Sequence, residues 1–239
     1  MSESQASPLR VLVTGGGRGI GRAIALRFAR EGAHVIVAAR SSGELDQVVE
    51  EIEKAGGKGA AGQVNVIDFG AVEAAVYRAL QFTGGVLDIL VNCAGVFDVK
   101  PFEKMDVATW EKNINVNLTG PFHVTLESLE ALEQGTRPHV FMINSVAGKE
   151  AYAGNTAYCA SKFGLRGFAD ALRLDLAESG IRVSSVYPGP TDTTIFDKVP
   201  GDWDRSTMNQ PEDVAEVLWK AYHAAEGEDV NDLDVPPRS

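Results

Sequence analysis

Between a short, mostly aliphatic run (Leu9 to Val13) and a helical pattern, the chain places Thr14-Gly-Gly-Gly-Arg-Gly-Ile-Gly21. No other stretch narrows its folding options as much. The run reads as a buried strand and the glycines as a tight turn. Ile20, Ile24, Ala25 and Phe28 recur at helical spacing, and Gly32 ends that helix. A strand that passes straight into a helix can rejoin its sheet only by a parallel crossover, so the first fifty residues should form a βαβ unit.

The same alternation continues. Strands are expected at Ala33 to Ala39, Ala60 to Val66, Leu87 to Val91, His139 to Asn144, Ile181 to Tyr187 and Val230 to Val235. Between them, Ser41-x-x-Glu44 reads as a capping box opening a helix to about Ala55. Further helices are expected at Phe69 to Phe82, about Thr109 to Glu133, about Asn155 to Ser179 and Pro211 to Ala225. The strands are continuous aliphatic runs, as expected of a parallel sheet covered by helices on both faces. With 44% hydrophobic residues and neither linker nor repeat, residues 9–239 read as one α/β domain behind a disordered polar tail, residues 1–8.

Gly15, Gly19 and Gly21 let backbone approach a pyrophosphate, and the helix that follows offers unpaired N–H groups to its charge. Gly17, Arg18 and Ile20 belong to the same turn. An acid closing the second strand would bind the ribose hydroxyls of NAD, but here the strand ends in Ala39 and Arg40. Arg40, and Arg18 within the turn, suit the 2′-phosphate of NADP, so NADP(H) is favoured over NAD(H).

Ser145 closes the apolar run H-V-F-M-I-N-S, and Tyr158 and Lys162 follow four residues apart on one helix face. A phenol, an ammonium and a hydroxyl together can move a proton. A free phenol titrates near 10, so the expectation is that Lys162, helped by the positive charge of an oxidised nicotinamide, lowers it by roughly two or three units.

The net charge of −11 argues against nucleic acid and against an anionic membrane surface. No window approaches the ~18 apolar residues of a membrane span, and the N-terminus lacks the features of a signal peptide. Cys93 and Cys159 are expected as free thiols in a reducing cytoplasm. His34, His123, His139 and His223 are dispersed, so no catalytic metal is expected.

T-G-G-G-R-G-I-G, N-C-A-G at 92–95, N-V-N-L-T-G at 115–120, Ser145, Y-C-A-S-K at 158–162 and Y-P-G-P-T-D-T at 187–193 stand in an order and spacing that resembles the short-chain dehydrogenase/reductase family. The resemblance implies a Rossmann-like, doubly wound parallel sheet of seven strands in order 3-2-1-4-5-6-7, and an NAD(P)-dependent oxidoreductase. It implies a catalytic tetrad of Asn117, Ser145, Tyr158 and Lys162, with Asn117 interrupting its helix and holding a water that links Lys162 to solvent. Cofactor contacts implied beyond the turn and Arg40 are Asn65, Val66, Asn92, Ala94, Gly95, Tyr158, Lys162, Pro188, Gly189, Thr191 and Thr193. Asn65 replaces the family's usual Asp beside adenine. Cys93 replaces its usual second Asn and reads as a packed small residue.

Val96, Phe97, Ala147, Tyr152, Pro190, Phe196 and Trp203 are the expected substrate contacts, suited to a small hydrophobic ketone or aldehyde. A 3-oxoacyl-carrier-protein reductase shares these motifs, but its acidic partner would meet Glu127, Glu130 and Glu133 on an acidic chain. A non-catalytic NADP-binding sensor is the other alternative. The family's habit of pairing the helices that carry Asn117 and Tyr158 implies a homodimer or homotetramer.

Overall fold

A computed structural model describes residues 7–199 and 201–235. Most of the expected tail, residues 1–6, therefore lies outside the described residues. Seven strands form one parallel sheet in the order β3-β2-β1-β4-β5-β6-β7. They are β1 (Arg10–Thr14), β2 (His34–Ala39), β3 (Lys58–Gln63), β4 (Ile89–Asn92), β5 (His139–Ile143), β6 (Arg182–Pro188) and β7 (Asp232–Val235).

Because side chains alternate across a strand, β1 splits its apolar residues between two cores. Val11 and Val13 face α1 (Gly19–Ala29), α2 (Ser42–Lys54) and α7 (Pro211–His223), packing with Phe28, Leu45 and Leu218. Leu12 faces the opposite layer of α3 (Phe69–Thr83), α5 (Gly120–Glu133) and α6 (Thr156–Asp175), packing with Val72, Val124 and Leu165. The chain reverses its winding between β1 and β4, so the carboxyl ends of those strands flank a crevice, the usual ligand position in such sheets.

Four local expectations change. The third strand ends at Gln63, with Val64 to Val66 running on beyond it. The long helix that periodicity spans from Thr109 to Glu133 is two helices, α4 (Val107–Ile114) and α5, joined by a π-helical turn at Asn115–Thr119, the interruption at Asn117 that the resemblance implies. The sixth helix stops at Asp175 because a 3-10 turn, Ala177–Ser179, and the left-handed Gly180 end it. The capping box does not form: the Ser41 side chain makes no capping hydrogen bond to α2. Glu44 is turned towards Arg18 instead.

Candidate active site

The glycine turn is held by contacts that only glycine permits. Gly15 has φ +66°, and a Cβ there would lie 2.8 Å from the backbone nitrogen of Ala94. A Cβ on Gly21 would lie 2.3 Å from the Gly15 carbonyl oxygen. Thr14 joins the two loops: its hydroxyl oxygen accepts from Cys93 N at 3.1 Å and Ala94 N at 3.2 Å, and lies 3.3 Å from the Val91 carbonyl. Arg18 precedes α1 in extended conformation without capping it by its side chain, and no acid occupies that helix's first turn. The positive end of the helix dipole therefore faces the crevice with no acid of α1 itself against it.

A cleft of about 530 Å³ opens there. Of the expected cofactor contacts, Gly15, Gly17, Arg18, Gly19, Ile20, Gly21, Arg40, Asn65, Val66, Ala94, Gly95, Tyr158, Lys162 and Thr193 line it. This glycine cradle, a helix with no acid in its own first turn and the exposed Arg40 fit a dinucleotide. Among the described residues, no carboxylate pairs with Arg40; only its carbonyl is engaged, accepting from Gln63 Nε2 at 3.0 Å.

The remaining expected contacts, Asn92, Pro188, Gly189 and Thr191, stand outside the lining of this cleft. Asn92 is buried and donates from Nδ2 to Thr125 Oγ1 at 3.0 Å and to Met142 Sδ at 3.4 Å. Pro188 and Gly189 are buried at the end of β6, and the Thr191 hydroxyl donates to the Gly189 carbonyl at 3.0 Å.

The end of β5 meets the start of α6 beside this cleft. Lys162 is 5% exposed, donates from Nζ to the Ile143 carbonyl at 2.8 Å and stands 5.7 Å from the Tyr158 ring centroid. Asn144 Nδ2 donates to the Lys162 carbonyl at 3.2 Å, tying strand to helix. Ser145 accepts from Ala147 N at 3.2 Å.

Asn117 is fully buried in the π-helical turn. Its Oδ1 accepts from Val96 N at 2.8 Å, and its Nδ2 donates to Val96 O and to Ser161 Oγ, each at 3.0 Å. Both ends of the amide are thus engaged by protein groups.

Charge states differ from the expectation. Burial pushes the Tyr158 phenol up to about 12, against a downward pull from the Ser145 hydroxyl. Burial pushes Lys162 down to about 8, opposed by Cys93. The expected lowering of Tyr158 by Lys162 is therefore reversed in the protein alone, because desolvation opposes both charged forms. Burial pushes the Cys93 thiol up to about 12 against the pull of Lys162, and the residue is half-buried in the lining of the cleft. Cys93 and Cys159 are both free.

Beside Tyr158 lies a train of rings. Phe97 and Tyr158 have centroids 4.6 Å apart, Phe97 and Phe196 5.7 Å, and Phe196 and Trp203 5.0 Å. Val96 lines the cleft. Ala147 is buried, Pro190 is exposed, and the exposed Tyr152 donates from its hydroxyl to Glu150 Oε2 at 3.3 Å.

Sequence reasoning overlooked Thr14, Asn144 and Ser161, and it placed Glu44, which lines the cleft, in a helix cap. Position directly before the glycines was the available signal for Thr14. Ser161 and Asn144 carry none until strand and helix are seen side by side.

Residues 10–203 match a family model described as short chain dehydrogenase. A glycine betaine reductase of Emericella nidulans is 34% identical over 235 residues, which cover 95% of this chain and only 18% of that protein. A sepiapterin reductase of Chlorobaculum tepidum is 31% identical over 219 residues, 89% of each chain. A solved metagenomic short-chain oxidoreductase in complex with NADP is 31% identical, covers 97% of this chain and 98% of its own, and superposes with a TM-score of 0.82.

Proposed function

The chain belongs to the short-chain dehydrogenase family of NAD(P)-dependent oxidoreductases, and on that premise we propose that it reduces a small hydrophobic ketone or aldehyde with NADPH, Tyr158 serving as general acid. The observation that carries this reading is that Tyr158 and Lys162 line the same cleft as the glycine turn. A bound reduced nicotinamide would supply the hydride. With its proton held up to about 12, Tyr158 is a neutral phenol at neutral pH, the form needed to donate to a carbonyl oxygen.

Ser145 would hold that oxygen by a hydrogen bond as charge develops on it. Lys162, anchored on Ile143, would bind ribose hydroxyls and replenish the phenol's proton. Asn117 would fix Val96 and Ser161 at the cleft floor, and any water it held would sit on its backbone carbonyl. Glycine-turn N–H groups and the α1 terminus would hold the pyrophosphate. Thr193 would close over that turn: a Cβ added to Gly19 would meet its Cγ2 at 3.1 Å.

Preference for NADP rests on Ala39 in the acidic slot, on Arg18 and on the carboxylate-free Arg40, with the solved NADP complex of a relative in support. Phe97, Phe196 and Trp203 favour an apolar substrate. The chain's acidity still weighs against an acyl-carrier-protein partner. Among the described residues, no helix is long and apolar enough to cross a membrane, and we assign the enzyme to the cytoplasm. The exposed Phe122 and Leu126 on α5 and Phe163 on α6 would be covered in a homodimer or homotetramer, which light scattering tests.

The deciding experiment follows NADPH and NADH absorbance against a panel of ketones and aldehydes. The proposal expects carbonyl-dependent loss of absorbance with a higher kcat/KM for NADPH. Tight cofactor binding without turnover of any carbonyl would favour the sensor, and a higher kcat/KM for NADH would overturn the cofactor assignment.

A further inference from the structure

The acid at the adenosine end of the cleft is not where a strand-end acid would stand. Ala39 occupies that place, yet Glu44, one turn into α2, lines the same wall with Arg18, Arg40 and Ser41. Its Oε1 accepts from Arg18 Nη1 at 3.3 Å, with the two side chains 40% and 61% exposed. A Cβ placed on Gly17 would come within 3.3 Å of Glu44 Oε2, so the carboxylate lies directly against the glycine turn. Sequence would spend Glu44 on capping α2, but the capping box with Ser41 does not form and Glu44 faces the cleft instead.

We propose that Glu44 is a cofactor-discriminating residue: by holding the Arg18 guanidinium, it limits how tightly the cleft binds the 2′-phosphate of NADP. This rests on the reading of the cleft as a dinucleotide site. A phosphate dianion and Glu44 cannot both use the same guanidinium edge, and the two anions repel across partly wet space. The exposed ion pair is weak, so the phosphate still displaces it, at reduced affinity. A cofactor lacking the 2′-phosphate makes no demand on Arg18 and is indifferent to the pair. Arg40, which no carboxylate engages among the described residues, sets the preference for NADP, and Glu44 sets its ceiling.

Calorimetry on the whole protein with 2′,5′-ADP and 5′-AMP tests this without turnover. Glu44→Gln keeps the shape and removes the charge. It is expected to tighten 2′,5′-ADP by roughly two- to fivefold, as befits one screened ionic contact, while 5′-AMP moves by less than about 1.5-fold. In an Arg18→Ala background the same substitution should lose that gain. Unchanged or weaker binding of 2′,5′-ADP by a folded Glu44→Gln protein overturns the proposal, and so does a full gain in the absence of Arg18. The outcome is separable from the wider reading: wild-type protein that binds 5′-AMP and 2′,5′-ADP equally contradicts the NADP assignment, whereas the effect of Glu44→Gln is read from the change between variants.

Discussion

Replacing Gly21 with alanine would place a methyl carbon 2.3 Å from the Gly15 carbonyl oxygen, 2.8 Å from its carbonyl carbon and 3.1 Å from Gly16 Cα. All three neighbours are backbone, so no side chain can swing aside. Opening the turn until the 2.3 Å contact reaches 3 Å requires a shift of roughly 0.7 Å. Overpacking of this kind costs about 1–3 kcal/mol. For a chain of this length that corresponds to a fall in Tm of about 2–12 °C. The same shift spoils the N–H cradle, so NADPH affinity should fall at least about tenfold, or ~1.4 kcal/mol. Gly43→Ala is the control: a Cβ there meets nothing within 4 Å, and the position is exposed in the first turn of α2. It should gain about 0.4–1 kcal/mol and leave cofactor affinity alone. Thermal melts and titration of NADPH fluorescence read both quantities. Wild-type Tm and affinity in Gly21→Ala would refute the steric argument.

Acid stability should depend on His139, whose Nε2 lies 2.7 Å from Ser184 Oγ. The Ser184 hydroxyl donates to the Val230 carbonyl, so it must accept from Nε2–H, leaving Nδ1 buried and without a partner. Burial first, then Arg182 and Arg137, hold this pKa well below 6.5. Since the folded value is depressed, the stability tied to neutral His139 is present above pH 6.5 and is lost as pH falls through the folded pKa. Melts in a falling pH series should therefore show a decline that His139→Gln flattens; an identical slope in both proteins would contradict this. Substrate binding should shift the emission of Trp203, which meets Phe196 edge-on at 5.0 Å. Trp203→Phe should abolish that shift and raise KM about two- to tenfold with little change in kcat; an unmoved signal at saturation would remove Trp203 from the substrate site.

The repeating pattern of aliphatic run and amphipathic helix made the sheet legible, because strands buried on both faces have no polar alternation to hide them. The glycine turn was legible because its backbone contacts exclude every other residue. Boundaries were less so. Val64 and Val66 continue the apolar pattern, but β2 ends at Ala39, so after a last hydrogen bond from Val64 N to the Ala39 carbonyl the ladder stops. The break at Asn115–Thr119 is invisible to helical periodicity, since a π turn keeps helical side-chain chemistry and changes only the hydrogen-bond register. Ser41 and Glu44 were misread for a physical reason. A capping motif states what two side chains can satisfy locally, and here Glu44 meets Arg18, which comes from a different loop, instead of a backbone N–H. The same limit applies to Tyr158: spacing places it near Lys162, but only the depth of burial decides which way each group titrates.

The central claim, that Tyr158 donates the proton while the cleft holds NADPH independently, is tested most directly by Tyr158→Phe. With a carbonyl substrate found from the panel, the account predicts NADPH affinity within about twofold of wild type and a fall in kcat of roughly 10²–10⁴ or more. Turnover within tenfold of wild type, with cofactor binding intact, would contradict it.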